Sequence, residues 1–168
     1  MEKLIEIYDN ILSPKLVDYI ENFIAYPPQD FRYIFLSNVV DNSLPYVQPG
    51  LTHPLSSHDT PPSKYNTFFN QILYDFCFTQ NIILKDIYKT RTFLQFPSPH
   101  GVPREEKIHT DLNFPHWVCL YYVNDSDGDT ILYKDDEKTE IKRISPKKGR
   151  IVFFDGSIKH CGSFPSKN

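Results

Sequence analysis

The second half of the chain constrains the fold most, because from Lys107 onward short apolar runs alternate with turn signals. The runs are residues 116–123, 130–133, 139–144 and 150–154. The turns between them are residues 124–129, 135–138 and 146–149, where Asp, Asn, Gly and Pro concentrate. Gly128 is expected to supply a positive φ in the first of these turns. Short strands at this spacing predict a sandwich or a barrel.

The first half of the chain carries two helical patterns. Ser13 suits an N-cap and Pro14 the first helical position, and apolar residues then recur at helical spacing to about Ala25. An apolar stripe predicts a second helix at residues 63–80. Further strands are predicted at residues 4–8, 31–40, 82–88 and 90–96, and loops at residues 41–62 and 97–106. We therefore expect one mainly β domain, residues 1–168, with flanking helices.

The long loop predicted at residues 41–62 contains His53 and His58. Loops of this length in a compact domain often act as lids or binding segments. Two interpretations stay open for these histidines: they are solvated loop residues, or they belong to a lid that faces the substrate.

Charge and composition exclude several function classes. The net charge of −3 gives no general attraction to nucleic acid or to anionic membranes. No apolar run approaches the roughly 20 residues that span a bilayer, and acidic residues interrupt the N-terminus where a signal peptide needs an apolar core. The three cysteines show no disulfide pattern. We expect a cytoplasmic protein that binds neither nucleic acid nor membrane.

The chemically informative residues are His109, Asp111 and His160. Residues two apart in a strand point to the same face, so His109 and Asp111 are expected side by side. His160 follows the strand predicted at 150–154. Two imidazoles and one carboxylate on one side of a metal form the facial triad of non-haem Fe(II) oxygenases. A His-x-Asp triplet alone is a weak signal, and its position just before an apolar strand strengthens it.

The other histidines of this region are poorer ligand candidates. His100 lies in a loop rich in Pro and Gly, and His116 begins a strand with bulky neighbours.

Several motifs from about Arg91 to the C-terminus occur in a specific order. They are His109-Thr-Asp111, Tyr121-Tyr-Val-Asn124 followed by Gly128-Asp-Thr130, then Pro146-Lys-Lys-Gly-Arg-Ile-Val-Phe-Phe154, and His160. In this order and spacing the sequence resembles the Fe(II)/2-oxoglutarate dioxygenases of the prolyl-hydroxylase type, especially their short bacterial and phage members. The resemblance is looser for Ile7-Tyr-Asp-Asn-Ile-Leu-Ser-Pro14.

The resemblance implies a double-stranded β-helix (jelly roll) that binds Fe(II) through His109, Asp111 and His160. It implies 2-oxoglutarate and O₂ as co-substrates, with ascorbate as a reductant. Tyr122 would hydrogen-bond the far carboxylate of 2-oxoglutarate, and Thr130 would line the same pocket. The implied reaction is hydroxylation of a C–H bond in a prolyl or other amino-acid side chain of a peptide or protein, or in a small molecule.

The chain departs from that family after His160. The family places an Arg or Lys further along, on a last barrel strand that this chain lacks, as partner of the far carboxylate. Lys167 is the only cation after His160, and it lies short of the family position. A carboxylate buried without a cation is costly. Three accounts stay open: the chain is truncated, Lys167 or Arg91 takes over this role, or the protein does not use 2-oxoglutarate.

Two rival functions stay open beside the oxygenase. One is a non-catalytic binding module, that is, a degenerate oxygenase. The other is a Zn²⁺ hydrolase, for which the sequence shows no obvious general base near the ligands.

Several further residues are expected to have structural roles only. They are the basic residues Lys138, Lys142, Arg143, Lys147, Lys148 and Arg150 as a solvated face, Trp117, Tyr121 and Tyr133 as core, Lys107 as a surface residue, and Cys119 and Cys161 as packing residues.

Overall fold

The computed structural model describes residues 4–38, 49–97 and 105–166, which form two helices and nine strands. The elements are β1 (Ile5–Tyr8), α1 (Pro14–Ala25), β2 (Ile34–Leu36), β3 (Gly50–Ser57), α2 (Asn66–Thr79), β4 (Lys89–Gln95), β5 (Trp117–Tyr121), β6 (Thr130–Tyr133), β7 (Glu140–Ile144), β8 (Ile151–Asp155) and β9 (Lys159–Gly162). The strands form three antiparallel sheets, in the orders β1-β8-β5, β2-β3-β4 and β7-β6-β9. The prediction of a mainly β fold with two helices is confirmed. Neither helix has the length and apolar content needed to cross a membrane.

Helix α1 begins as its sequence predicts. The Ser13 hydroxyl accepts a hydrogen bond from the backbone N–H of Leu16, and Pro14 occupies the first turn, where no N–H is needed. Helix α2 is shorter than predicted at its start, and it buries Phe69, Ile72 and Phe76. Both helices pack against the β1-β8-β5 sheet.

Both faces of the β1-β8-β5 sheet are apolar. Alternate residues of β8 point to opposite faces of the sheet, and each face packs in a separate core. Ile151 and Phe153 face the helices and form with them what we call the helix-side core. Val152 and Phe154 point the other way, toward Leu132 of β6 and Ile144 of β7. We call this second cluster, between the β1-β8-β5 and β7-β6-β9 sheets, the inter-sheet core.

The β7-β6-β9 sheet turns one face into the inter-sheet core. Leu132 is fully buried there, and it lies directly opposite His160 of β9. Thr130 is two residues before Leu132 and therefore shares its face. The fold thus places His160 and Thr130 at the edge of an apolar interior.

The predicted loop at residues 41–62 is wrong for its second part, while residues 39–48 lie outside the described residues. Residues 50–57 form β3, the central strand of the β2-β3-β4 sheet. Pro54 lies at an irregularity in the pairing with β4, which is where a sheet tolerates proline.

His53 belongs to β3 and is buried, so it is neither a solvated loop residue nor part of a lid. Its Nδ1–H donates to the Arg32 carbonyl at 2.8 Å, and Nε2 accepts from the Ser63 hydroxyl at 2.9 Å. The ring stacks on Phe31 with centroids 3.9 Å apart. His58 is exposed in the turn that follows, and it pairs with Asp86 at 3.0 Å.

Several smaller predictions also need correction. Residues 82–88 form no strand, and of the strand predicted at residues 31–40 the described part, residues 31–38, forms one only at Ile34–Leu36. His160 comes after β8, as predicted, and it lies within a further strand, β9, that was not predicted. Of the loop predicted at residues 97–106, residues 98–104 lie outside the described part.

Gly128 does not adopt the positive φ that was predicted, whereas Gly149 does, with φ of 79°. Gly128 is instead required by a close approach of two chain segments. A Cβ atom at this position would lie 2.6 Å from the Ser163 carbonyl oxygen.

Candidate metal centre

The segment that carries His109 runs beside β9 as an extra strand-like edge. The backbone N–H of His109 donates to the carbonyl of His160 at 2.9 Å, and the reverse bond has the same length. The N–H of Glu106 likewise donates to the carbonyl of Gly162 at 2.8 Å. Residues paired in this way place their side chains on one face of a sheet. The imidazoles of His109 and His160 accordingly lie together, with ring centroids 4.7 Å apart.

Asp111 completes the group, because it is two residues beyond His109. Its Oδ2 lies 3.4 Å from Nε2 of His160. One ligand atom from each of His109, Asp111 and His160 lies within 4.8 Å of the others. His160 is buried, whereas 39 % of the Asp111 side chain is exposed, so the group opens to solvent on the Asp111 side.

Backbone carbonyls hold both imidazoles in the same tautomer. Nδ1–H of His109 donates to the carbonyl of Lys107 at 2.9 Å, and Nδ1–H of His160 donates to the carbonyl of Ile158 at 2.9 Å. Both Nε2 atoms are therefore left for a ligand. Such outer hydrogen bonds are typical of metal-bound histidines, since they fix the ring and raise its basicity.

The electrostatics of the group favour the protonation states that a metal needs. Burial lowers the pKa of His109, which keeps its imidazole neutral. The contact with His160 lowers the pKa of Asp111 to about 2, so the carboxylate is ionised. Nε2 of His160 and Oδ2 of Asp111, which lie 3.4 Å apart, could both bind one divalent cation.

Tyr122 and Thr130, the predicted co-substrate residues, contact one another at the edge of the inter-sheet core. The Tyr122 hydroxyl donates to Oγ1 of Thr130 at 2.6 Å. Burial raises the pKa of Tyr122 to about 12, so it remains a hydrogen-bond donor. Lys167, the third predicted co-substrate residue, lies outside the described residues.

The other histidines in the described part of the chain do not join this group. His116 packs against Gly156, where a Cβ atom would overlap the imidazole, and its Nδ1–H donates to the carbonyl of Phe114. His58 is engaged with Asp86. His100 lies outside the described residues.

Sequence reasoning missed the connection between β4 and the segment that carries His109. Nε2 of Gln95 donates to Glu106 at 2.7 Å, and the other carboxylate oxygen of Glu106 accepts from the N–H of Gly162 at 3.1 Å. No local pattern indicates this link, because its partners come from three separate stretches of the chain.

The basic residues of the C-terminal hairpins are largely neutralised, which agrees with a solvated face. Arg143 pairs with Glu105 and Glu140, and Lys148 pairs with Asp18 and Glu21. Arg150 binds Asp9 through Nε at 2.8 Å.

Some of the aromatic and cysteine side chains that were predicted to be core or packing residues are buried, and others are not. Tyr133 is buried, and burial raises the pKa of Cys161 to about 11, which suits a packing residue. Trp117 departs from the expected core position. It stacks on Phe153 at 5.0 Å but remains 57 % exposed.

Two imidazole nitrogens and one carboxylate oxygen can hold a divalent metal ion and leave coordination positions for other ligands. The sequence matches no protein-family model and no curated protein. The chemistry of the site therefore carries the functional argument.

Proposed function

We propose that the chain is an Fe(II)- and 2-oxoglutarate-dependent dioxygenase of the prolyl-hydroxylase type. The observation that carries this proposal is the group of His109, Asp111 and His160, with ligand atoms within 4.8 Å of one another. Two histidines and one carboxylate with open positions are typical of non-haem Fe(II) oxygenases. The motif order of the sequence favours the same family.

The protein fits a ferrous ion in three respects. Nδ1–H of each histidine is bonded to a carbonyl, which leaves Nε2 as donor. Asp111 is ionised and supplies one negative charge. The group lies at the end of an apolar interior, where Phe154 contacts the His160 ring with centroids 5.2 Å apart. Apolar walls of this kind exclude water from a reacting centre.

The proposed fold is a double-stranded β-helix whose two layers are the β1-β8-β5 and β7-β6-β9 sheets. The inter-sheet core supports this assignment, because side chains from both sheets meet in it. Within such a barrel, 2-oxoglutarate would lie between His160 and the pair formed by Tyr122 and Thr130. Tyr122 stays protonated and can donate its hydroxyl proton to a carboxylate.

The division of labour follows from these positions. Bound iron and 2-oxoglutarate supply the oxidising power, with O₂, for hydroxylation of a C–H bond. His109, Asp111 and His160 hold the metal, and Tyr122 with Thr130 orients the co-substrate. The proposed substrate is a prolyl or another amino-acid side chain, or a small molecule that presents a comparable C–H bond.

An anaerobic Fe(II) titration, with and without 2-oxoglutarate, tests the proposal. We expect 2-oxoglutarate to produce a weak metal-to-ligand charge-transfer band in the visible spectrum. Asp111→Ala should abolish this band. Asp59→Ala is the matched control, because Asp59 is an exposed carboxylate in the turn after β3, and it should leave the band unchanged.

The two possible failures of this experiment have different meanings. Calorimetry first measures whether Fe(II) binds at all. Binding without a charge-transfer band would exclude 2-oxoglutarate and leave a metal-binding module. Absence of Fe(II) binding would exclude the oxygenase altogether.

A further inference from the structure

Strand β4 crosses beside the segment that carries the metal ligands. Gln95 at its end bonds Glu106, and the ring of Tyr88, just before its start, meets the ring of Phe114 edge to face at 5.0 Å. The residue numbers thus rise along one segment as they fall along the other, so the two run antiparallel. Arg91 lies between these two contacts on β4, and Asp111 lies between them on the other segment, so both residues belong to the same stretch of this crossing.

Side chains alternate between the two faces of β4, which identifies the face on which Arg91 lies. The hydroxyl of Thr90 bonds Ser56 and Asn66, so the even-numbered face of β4 lies toward α2. Arg91 therefore belongs to the opposite face, together with Phe93. The guanidinium of Arg91 lies over the Phe93 ring at 5.4 Å from its centroid, a contact that limits its freedom while leaving it exposed.

Arg91 also differs from the arginines of the C-terminal hairpins in its ion pairing within the described part of the chain. Arg143 and Arg150 are each bound to carboxylates at about hydrogen-bond distance. Among the described residues, Arg91 has no carboxylate within ion-pairing distance. Its charge does not assist metal binding, because two cations repel one another. An exposed guanidinium with free donors beside a metal ligand is suited to an anion that approaches the metal.

We propose that Arg91 is a specificity-determining residue that binds a carboxylate or phosphate group of the molecule hydroxylated at the metal centre. The inference rests on the proposed function of that centre. It concerns the substrate rather than 2-oxoglutarate, because Tyr122 packs against the inter-sheet core and Thr130 is buried, whereas Arg91 is exposed. Planar guanidinium groups bind both anion types through paired hydrogen bonds.

Paramagnetic relaxation in the Mn²⁺-loaded protein tests this inference. Mn²⁺ binding is measured first by electron paramagnetic resonance, and oxalate is added to fill the open coordination positions. Two probe anions then report on the space beside the metal. Trifluoroacetate, observed by ¹⁹F, represents carboxylates, and methylphosphonate, observed by ³¹P, represents phosphates.

The wild-type protein should enhance the relaxation of at least one probe, and the probe that responds identifies the anion class. Arg91→Gln should weaken binding of that probe about tenfold or more. Arg91→Lys should keep part of it, because the charge remains. Arg32→Gln is the matched control, since Arg32 is an exposed arginine before β2, and it should change nothing.

Mn²⁺ affinity separates the two proposals. Arg91→Gln should bind Mn²⁺ at least as tightly as the wild type, because a nearby positive charge is removed. Unchanged probe binding in Arg91→Gln, or no relaxation enhancement in the metal-loaded wild type, would overturn the role of Arg91 alone. Absence of Mn²⁺ binding in the wild type would overturn the metal centre, and the role of Arg91 with it.

Discussion

The two larger cores of the described structure, the helix-side core and the inter-sheet core, each have a buried histidine beside them, and the two histidines differ in their hydrogen bonds. In the helix-side core, His53 has both ring nitrogens bonded, to the Arg32 carbonyl and the Ser63 hydroxyl. At the edge of the inter-sheet core, His160 has a protein partner of ordinary hydrogen-bond length at Nδ1 only, while Nε2 faces Asp111 at 3.4 Å. The number of nitrogens already satisfied thus distinguishes a packing histidine from a candidate ligand.

The surroundings of the two histidines differ in the same sense. His53 stacks on Phe31, which in turn contacts Tyr65 and Phe23 edge to face. Aromatic contacts of this kind stabilise a closed interior. His160 lies beside His109, at a rim that opens through Asp111. The comparison indicates that the helix-side core stabilises the fold, whereas the rim of the inter-sheet core holds a group that could bind a metal ion.

The largest expected effect is on stability, from the helix-side core. Phe76 is fully buried between α2 and the β1-β8-β5 sheet, where it contacts Tyr8 and Phe153. Phe76→Ala should lower the free energy of unfolding by about 3–5 kcal/mol, because it leaves a cavity. Urea denaturation measures this, with Phe78→Ala as control on the exposed side of the same helix. Equal losses in the two variants would contradict the assignment of this core.

The next effect should fall on metal binding alone. Asp111→Ala removes a ligand atom from the group at the rim. Loss of an outer-shell partner already costs about 10–100-fold in metal affinity, so loss of a ligand should cost about 100-fold or more. A Co²⁺ titration followed by visible absorption measures this affinity. If Asp111→Ala retained the wild-type Co²⁺ affinity, the Asp111 carboxylate would not be a metal ligand.

Substituting the two histidines in parallel sharpens the comparison further. His53→Phe removes the hydrogen bonds to the Arg32 carbonyl and the Ser63 hydroxyl, so it should cost about 2 kcal/mol of stability while Co²⁺ affinity stays unchanged. His160→Phe should instead abolish Co²⁺ binding. If His53→Phe also weakens Co²⁺ binding, or if His160→Phe leaves it unchanged, the two histidines do not have the separate roles proposed here.

Local signals explain which parts of this architecture could be predicted from the sequence. Ser13 and Pro14 mark the start of α1, and turn residues mark the strands after Trp117. The pairing of His109 with Asp111 follows from the strand period alone. His160 could be added because a turn and a strand precede it, although its place inside β9 was not foreseen.

The errors arise where distant partners decide the local structure. Strand β3 lacks an apolar run and contains a proline, and it is stabilised by neighbours on both sides. Residues 82–88 were predicted as a strand, yet they form none, although Ile82 and Leu84 pack on the helix-side core while Ile83 is 87 % exposed. The position of Arg91 near the segment that carries Asp111 depends on how β4 packs beside that segment, which is a tertiary contact. No local pattern reports such a contact.

The smallest expected effect concerns the sheet that both cores share. Asp9, just after β1, bonds Arg150 and Lys147, and the bond with Arg150 lowers the pKa of Asp9 to about 2. A carboxyl group whose pKa is lower in the folded state stabilises the fold above its unfolded pKa, near 4, and this contribution is lost as the pH falls toward 2. Because the pair is partly solvated, Asp9→Asn should cost only about 1 kcal/mol at pH 6. In urea denaturation the difference in unfolding free energy from wild type should shrink at pH 2.5, whereas Asp59→Asn should show no difference at either pH.

The Co²⁺ affinity of Asp9→Asn should equal that of the wild type, since the ion pair ties β1 to β8 without contacting the metal ligands. A loss of Co²⁺ affinity in Asp9→Asn would show that the geometry of the metal ligands depends on the β1-β8-β5 sheet and not only on the hydrogen bonds of His109 and His160.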